Sequence, residues 1–410
     1  MRLRRVYSGR SAWRVQLKCC DLPRRGAARD VEMGWGPRSR VEAAMRRLHV
    51  GVIGVGRMGR VHLQTLCDGL DMDIKPRVCV SWIVDANVTV ASELAALYAV
   101  EHSTHDVSEM MLHPQHRPDA VWICTPTTQK MEIIRLAARM KVHVFCEKPL
   151  AMSVAECNEI ERLVAESGIQ LVMGHQRRFD AAWRAVRDRI ASGSLGKIHY
   201  ASLISRDPSP PPLQYLLTSG GIAIDMVCHD FDILRFLLGT EVRSVYASGS
   251  IQSEHAHTRA DFEQAGDVDT VVLILTMEGT GAVVSMQVGR LGSCYDQRVE
   301  VLGQRGVARL NNIPTDPVVV ESIPSESGAV EPVTSSAGGI QPFMQRYLDA
   351  YRLETRTFVS CLLAAFDDPL AASWQSLPSV NDAKQALRLA LAAQKSMQDN
   401  RPVLLTEIVQ

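Results

Sequence analysis

A chain of 410 residues with 46% apolar content is long enough for two domains, each with a core of its own. Its 45 basic and 45 acidic residues cancel, so no global charge favours nucleic acid, and no apolar run reaches the roughly 18 residues of a membrane helix. Ten cysteines, with Cys19 and Cys20 adjacent and no C-x-x-C spacing, give neither a zinc knuckle nor a disulfide framework and point to a reducing compartment, the cytoplasm.

The charge is nonetheless uneven. Residues 1–47 hold 13 Lys/Arg against 4 Asp/Glu and show no period that buries a face. They are set outside the expected fold, as a disordered or over-extended leader before Met45 or as a mitochondrial presequence.

From Leu48 onward β-branched runs alternate with helical patterns. Strands are expected over 49–53, 78–84, 120–124, 142–146 and 169–173, and helices over 57–67, 88–98, 128–140 and 153–166. This alternation specifies an α/β domain over 48–173, a parallel sheet covered on both faces with ligands at the carboxyl ends of its strands. Past Gly174 the pattern changes. A helix near 180–191 and a strand near 198–206 lead to the Pro-rich loop 207–212, then to a long helix over 221–238 stopped by Gly239. Strands follow over 242–250, 269–277, 281–288 and 297–302, with a hairpin at Met277–Gly281, then a loop over 311–342 and helices over 343–365 and 381–397. Residues 174–410 therefore read as an α+β domain with an open, mostly antiparallel sheet.

The first chemical signal is GVIGVGRMGRVH (51–62). Gly54, Gly56 and Gly59 join a buried strand to a helix in the G-x-G-x-x-G arrangement that seats a dinucleotide diphosphate on a helix N-terminus. Asp85 closes the next strand, 26 residues after Gly59, where a carboxylate accepts both ribose hydroxyls of NAD and repels the 2′-phosphate of NADP. Thr125-Pro126 and Glu147-Lys148-Pro149 stand at later strand ends. Lys148, aimed by Pro149, can stabilise an alkoxide, or it is simply solvated; spacing alone does not choose. On the long helix Asp225 and His229 are four apart and share a face. They can form a carboxylate-oriented general base, a structural network or, with Asp232, part of a metal site. Arg177-Arg178 and Arg206-Asp207 flank the cleft and offer donors and acceptors to a hydroxyl-rich ligand, or make surface salt bridges. Cys146, at the end of an apolar strand beside Glu147, is rejected as a nucleophile.

Together with CTPT (124–127), FCEKPLA (145–151), QRRFD (176–180) and SGGIAIDMVCHDFDILRFLLG (219–239), these stretches resemble the Gfo/Idh/MocA oxidoreductase family from about Leu48 to Val403. SRDPSPPPLQYLLTSGG (205–221), AGDVDT (265–270) and YDQR (295–298) resemble its myo-inositol 2-dehydrogenase members. The resemblance implies a Rossmann domain and a second domain whose outer face pairs subunits into a dimer or tetramer. It implies Lys148, Asp225 and His229 as the catalytic group, no metal, and NAD held by Gly54, Gly56, Arg57, Met58, Gly59, Asp85, Thr125, Pro126, Glu147 and Lys148. A polyol substrate falls on Lys148, Arg178, Asp207, Asp225, His229 and Tyr295. The implied reaction is oxidation of a cyclic polyol such as myo-inositol, with scyllo-inositol, a pyranose sugar, or a regulator without redox chemistry as alternatives.

Overall fold

The computed structural model describes residues 46–253, 259–292, 294–311, 346–368 and 370–408. The leader, but for Arg46 and Arg47, and the loop expected over 311–342, but for residue 311, lie outside the described residues.

The first sheet is built from β1 (Leu48–Ile53), β2 (Val78–Val84), β3 (His102–Thr104), β4 (Ala120–Ile123), β5 (His143–Glu147) and β6 (Leu171–Gly174), all parallel, in the order β3-β2-β1-β4-β5-β6. Its helices are α1 (Arg57–Asp68), α2 (Val88–Tyr98), α3 (Val107–Leu112), α4 (Thr127–Met140) and α5 (Val154–Ser167). The central strands are continuous apolar runs because both faces are covered: every residue of β4 is buried. At the start of α5, Ser153 and Glu156 reciprocally supply the missing acceptors. The short β3 and α3 escape the sequence reading, since three residues carry no period and β3 exists only through its pairing with β2.

After α6 (Ala181–Ala191) the second sheet forms from β7 (Ile198–Arg206), β8 (Val242–Ser250), β9 (Thr270–Met277), β10 (Val283–Gly289), β11 (Asp296–Gly303), β12 (Gly306–Leu310) and β13 (Val403–Leu404), in the order β12-β11-β7-β10-β9-β8-β13. Only β7 and β10 pair in parallel, so the sheet is mostly antiparallel as expected. Between these strands the chain also forms α7 (Leu213–Leu216), a π-helical segment (Ala223–Val227) running into α8 (Cys228–Leu238), and α9 (Arg259–Ala265). The helix expected over 221–238 is thus one helix with a wide first part, capped by Gly239 at φ +63°.

The closing helices α10 (Leu348–Asp367) and α11 (Val380–Asp399) return to the first domain. Phe358 of α10 packs edge-on to Trp122 of β4 at 5.4 Å, and Arg77 forks onto Asp367 at 2.7 and 2.8 Å. The α11 helix fills the seam between the domains: Lys384 pairs with Glu161 of α5, while Ser396 accepts the Ala247 N–H of β8 at 2.9 Å. Arg46 also joins the fold, donating to Asp119 at 2.8 Å and lying 3.9 Å over the Phe366 ring.

Candidate active site

The strand order reverses between β1 and β4, where the carboxyl ends of two neighbouring strands part and leave a crevice. Gly54–Gly56 enter it after β1, and Thr125-Pro126 after β4. Gly54 has φ +83°, and a Cβ there would stand 2.9 Å from the Cys124 carbonyl carbon. A Cβ on Gly59 would fall 1.9 Å from the Gly54 oxygen, so both glycines are forced by the protein's own packing. Gly56 differs. Its Cβ would meet nothing within 4 Å, so its bareness serves something outside the chain.

Gly56 caps α1, no side chain satisfies the first N–H groups, and no acid stands in the first turn, where Arg57 is exposed and Met58 half-buried. Thr125 Oγ1 is buried without a partner, next to the exposed Pro126. Asp85 turns back onto the glycine loop, accepting from Val55 N at 2.7 Å and Asn87 N at 2.9 Å. An open glycine, an uncapped helix start, an orphan hydroxyl and a carboxylate at the end of β2 fit a dinucleotide of the NAD type.

At the end of β5 the chain passes through a cis bond from Lys148 to Pro149. Lys148 Nζ reaches across the seam, donating to the Asp225 carbonyl at 2.8 Å and lying 3.3 Å from Asp225 Oδ1. That Oδ1 also accepts from the Tyr215 hydroxyl at 2.7 Å, and Oδ2 pairs with Arg290 at 3.4 Å. Arg290 is shared with Asp267 at 3.4 Å, and Asp267 takes the Ile222 N–H at 2.7 Å, pinning the start of the helix. Burial alone would lower the Lys148 pKa and raise that of Asp225. Their mutual attraction, with Arg290 helping Asp225, outweighs it, so Lys148 is held above its ordinary value and Asp225 below. The Tyr215 hydroxyl, pushed up to about 12 chiefly by burial, stays a donor.

His229 is held well below 6.5 by burial and then by Lys148, Arg177 and His175, so its imidazole is neutral at pH 7. The Asp207 carboxyl is raised by burial and Asp225 against the pull of Arg290, Arg177 and Lys148. Asp207 therefore belongs to the same cluster. Tyr295 forms a buried wall, edge-on to Tyr347 at 6.4 Å, with Arg177 and Asp207 acting on its hydroxyl.

Several expectations are corrected. The Asp225 carboxylate does not orient His229: Tyr215, Lys148 and Arg290 already engage it, and no hydrogen bond joins the pair despite their four-residue spacing. Arg178 is committed elsewhere, forking onto Asp232 of α8 at 2.9 and 2.5 Å and reaching Asp382 of α11 at 2.8 Å. The same bonds remove Asp232 from any metal set with Asp225 and His229. Glu147 turns inward beneath the lysine, with Oε1 2.8 Å from His62 Nε2 and Oε2 accepting the Lys148 N–H at 3.2 Å. Cys146 is buried and its thiol pushed up to about 11 by burial, as its rejection requires.

Tyr215, Arg290, Asp267 and His175 were missed as site residues, and Arg177 was left undecided. Arg177 donates to Asp230 at 2.6 Å, and both His175 nitrogens are buried without a hydrogen bond. Nothing local marks Arg290, one residue past the end of β10, whereas Tyr215 lies within SRDPSPPPLQYLLTSGG (205–221) and Asp267 within AGDVDT (265–270).

Comparison with known proteins agrees with this geometry. Residues 48–175 match the GFO/IDH/MocA oxidoreductase family with an NAD-binding Rossmann fold, and residues 183–309 match the GFO/IDH/MocA C-terminal domain. The chain belongs to the GFO/IDH/MocA family. Among its curated relatives, a myo-inositol 2-dehydrogenase of Thermotoga maritima is 32% identical over 88% of this chain and 100% of its own length. An inositol 2-dehydrogenase of Rhizobium meliloti is 34% identical over 86% of this chain and 98% of its own length. A solved structure of a probable dehydrogenase from Thermotoga maritima superposes with a TM-score of 0.74 at 33% identity, covering 88% of this chain and all of that one. The matched NAD-binding Rossmann fold spans the residues that build the crevice at β1 and β4.

Proposed function

We propose that this protein oxidises a secondary alcohol of a cyclic polyol, with myo-inositol as the substrate and 2-keto-myo-inositol (scyllo-inosose) as the product. The observation that carries this reading is a charged Lys148 and a neutral His229 in one seam, beside the strand ends that hold the dinucleotide crevice. Lys148, braced by Asp225, supplies positive charge where the alcohol oxygen becomes an alkoxide. His229 accepts the hydroxyl proton; its neutral form has the lone pair this needs. NAD⁺, when bound, supplies the acceptor for the hydride that leaves the carbinol carbon. Asp207 and Tyr295 offer an acceptor and a donor to the remaining ring hydroxyls, while Gly56, Arg57, Met58, Asp85, Thr125 and Pro126 form the cofactor's bed. The relatives named for inositol favour the same substrate class.

A homo-oligomer, dimer or tetramer, fits the second sheet. Val272, Ile274, Val283, Leu302 and Val307 stand 39–50% exposed on it, a run of apolar side chains that a second copy would cover. No helix among the described residues is long and apolar enough to cross a membrane, and no disulfide joins the described cysteines; we place the chain in the cytoplasm.

The test is NADH formation by the purified protein with myo-inositol, scyllo-inositol and D-glucose in turn, against NAD⁺ and NADP⁺. Turnover with myo-inositol and NAD⁺ above the other pairs is expected. Preference for scyllo-inositol or glucose would move the substrate within the class, and silence on every polyol with NAD still bound would point to a binding protein without redox chemistry.

A further inference from the structure

The first sheet ends at β3, four strands away from the β5 that carries Lys148. At this edge three histidines converge. His102 opens β3 in register with Trp82 of β2, and its ring stacks on the indole at 4.4 Å and 26°. His113 and His116 lie in the connection between α3 and β4. The His116 ring is 4.9 Å from that of His102 and 4.9 Å from that of His113. Trp82 holds both partners, facing His102 with its ring and donating Nε1–H to the His116 carbonyl at 2.7 Å.

The three rings differ in what they can offer. His113 Nδ1 accepts the N–H groups of Gln115 at 3.3 Å and His116 at 3.0 Å, which puts its proton on Nε2 and leaves no lone pair there. His102 Nε2 is buried with no hydrogen bond, 3.9 Å from Glu101 Oε2. Glu101, His102 and His116 each present one ligand atom, all within 4.8 Å of one another.

We propose that Glu101, His102 and His116 bind one divalent cation of the zinc type, with solvent in the fourth position. Two imidazoles and one carboxylate suit such a borderline ion; calcium and magnesium call for oxygen donors throughout. Tetrahedral bonds of about 2.0–2.1 Å require the ligand atoms to close in by roughly an ångström, and the exposed Glu101 side chain can swing to do so. Trp82, stacked on the His102 ring and bonded to the His116 backbone carbonyl, holds the two ligand segments together. The bound ion would tie the edge strand β3 to the segment before β4. A second convergence, His62, Glu147 and Glu354, is set aside: Glu147 is already bonded to His62 and to the Lys148 N–H, and burial with Glu147 nearby keeps Glu354 protonated.

The test uses the full-length protein, stripped of metal and free of any affinity tag, titrated with Zn²⁺ against a chromophoric chelator and with Co²⁺ as a visible probe. One equivalent of Zn²⁺ is expected. His102→Ala and His116→Ala should each weaken it at least about tenfold, while His113→Asn, which keeps an acceptor for the two N–H groups, should stay close to wild type. Urea melts of the metal-free variants that match the metal-free wild type certify that each is folded. No uptake by the wild type, or an affinity unchanged in both His102→Ala and His116→Ala, overturns the site. A loss in His113→Asn as large as in His102→Ala overturns this ligand set.

Discussion

The helix that begins at Ala223 uses the same residue types in two opposite ways. In its first part Asp225 meets Lys148 and Tyr215, its side chain 11% exposed and that of Lys148 20%, and the neutral His229 follows one turn later with no hydrogen bond at all. In its second part Asp230 and Asp232 are 1–2% exposed and bound to Arg177 and Arg178, and Arg235 forks onto Glu241 at 2.7 Å. A guanidinium fork such as that of Arg178 ties both oxygens of Asp232 and locks it into the scaffold, while Arg177 holds Asp230 through one oxygen. A lysine is a point charge on a flexible stem, with donors left over for a ligand. The scaffold half is set by buried carboxylates paired to arginine, the reactive half by a carboxylate paired to lysine and an imidazole without a hydrogen bond.

The contrast is broken most directly at His229. His229→Ala should lower turnover by roughly 10²–10⁴-fold with little change in stability, and undiminished turnover would end its assignment as the base. Because the neutral imidazole is the active form and its pKa is held below 6.5, kcat/KM should stay level through neutral pH and fall only on further acidification. A limb at or above pH 6.5 in the measured profile contradicts this. Lys148→Ala should cost roughly 10²–10³-fold in turnover, and Lys148→Arg should restore little, since a planar fork would bind Asp225 as Arg178 binds Asp232.

Arg178→Ala should give the reverse signature. It leaves Asp232 buried without its bidentate partner, so stability in urea melts should drop by about 3 kcal/mol or more while the folded fraction turns over normally. A selective loss of turnover at unchanged stability would return Arg178 to the substrate. The smallest effect is expected from Tyr215→Phe, which removes one of several bonds to Asp225: a few-fold to about tenfold in kcat/KM, read from steady-state kinetics with myo-inositol.

The stretch from Gly54 to Asp85 was legible from sequence because its constraints are local. Gly54 and Gly59 must be bare where backbones touch, and the strands of a sheet covered on both faces spell continuous apolar runs. The residues Lys148, Asp225 and His229 were legible as types at strand and helix positions. Which of them pair was not. Spacing suggested Asp225 with His229, but the fold brought Arg290, Lys148 and Tyr215 to that carboxylate from β10, β5 and α7, and sent Arg178 to α11. Short elements such as β3 and β12 were equally hidden, since pairing rather than composition creates them. Helical and extended periods are properties of neighbouring residues and survive in the sequence. The strength of an ion pair, the protonation of a buried imidazole and the convergence of donors depend on distance and exclusion of water, which exist only once the chain has folded.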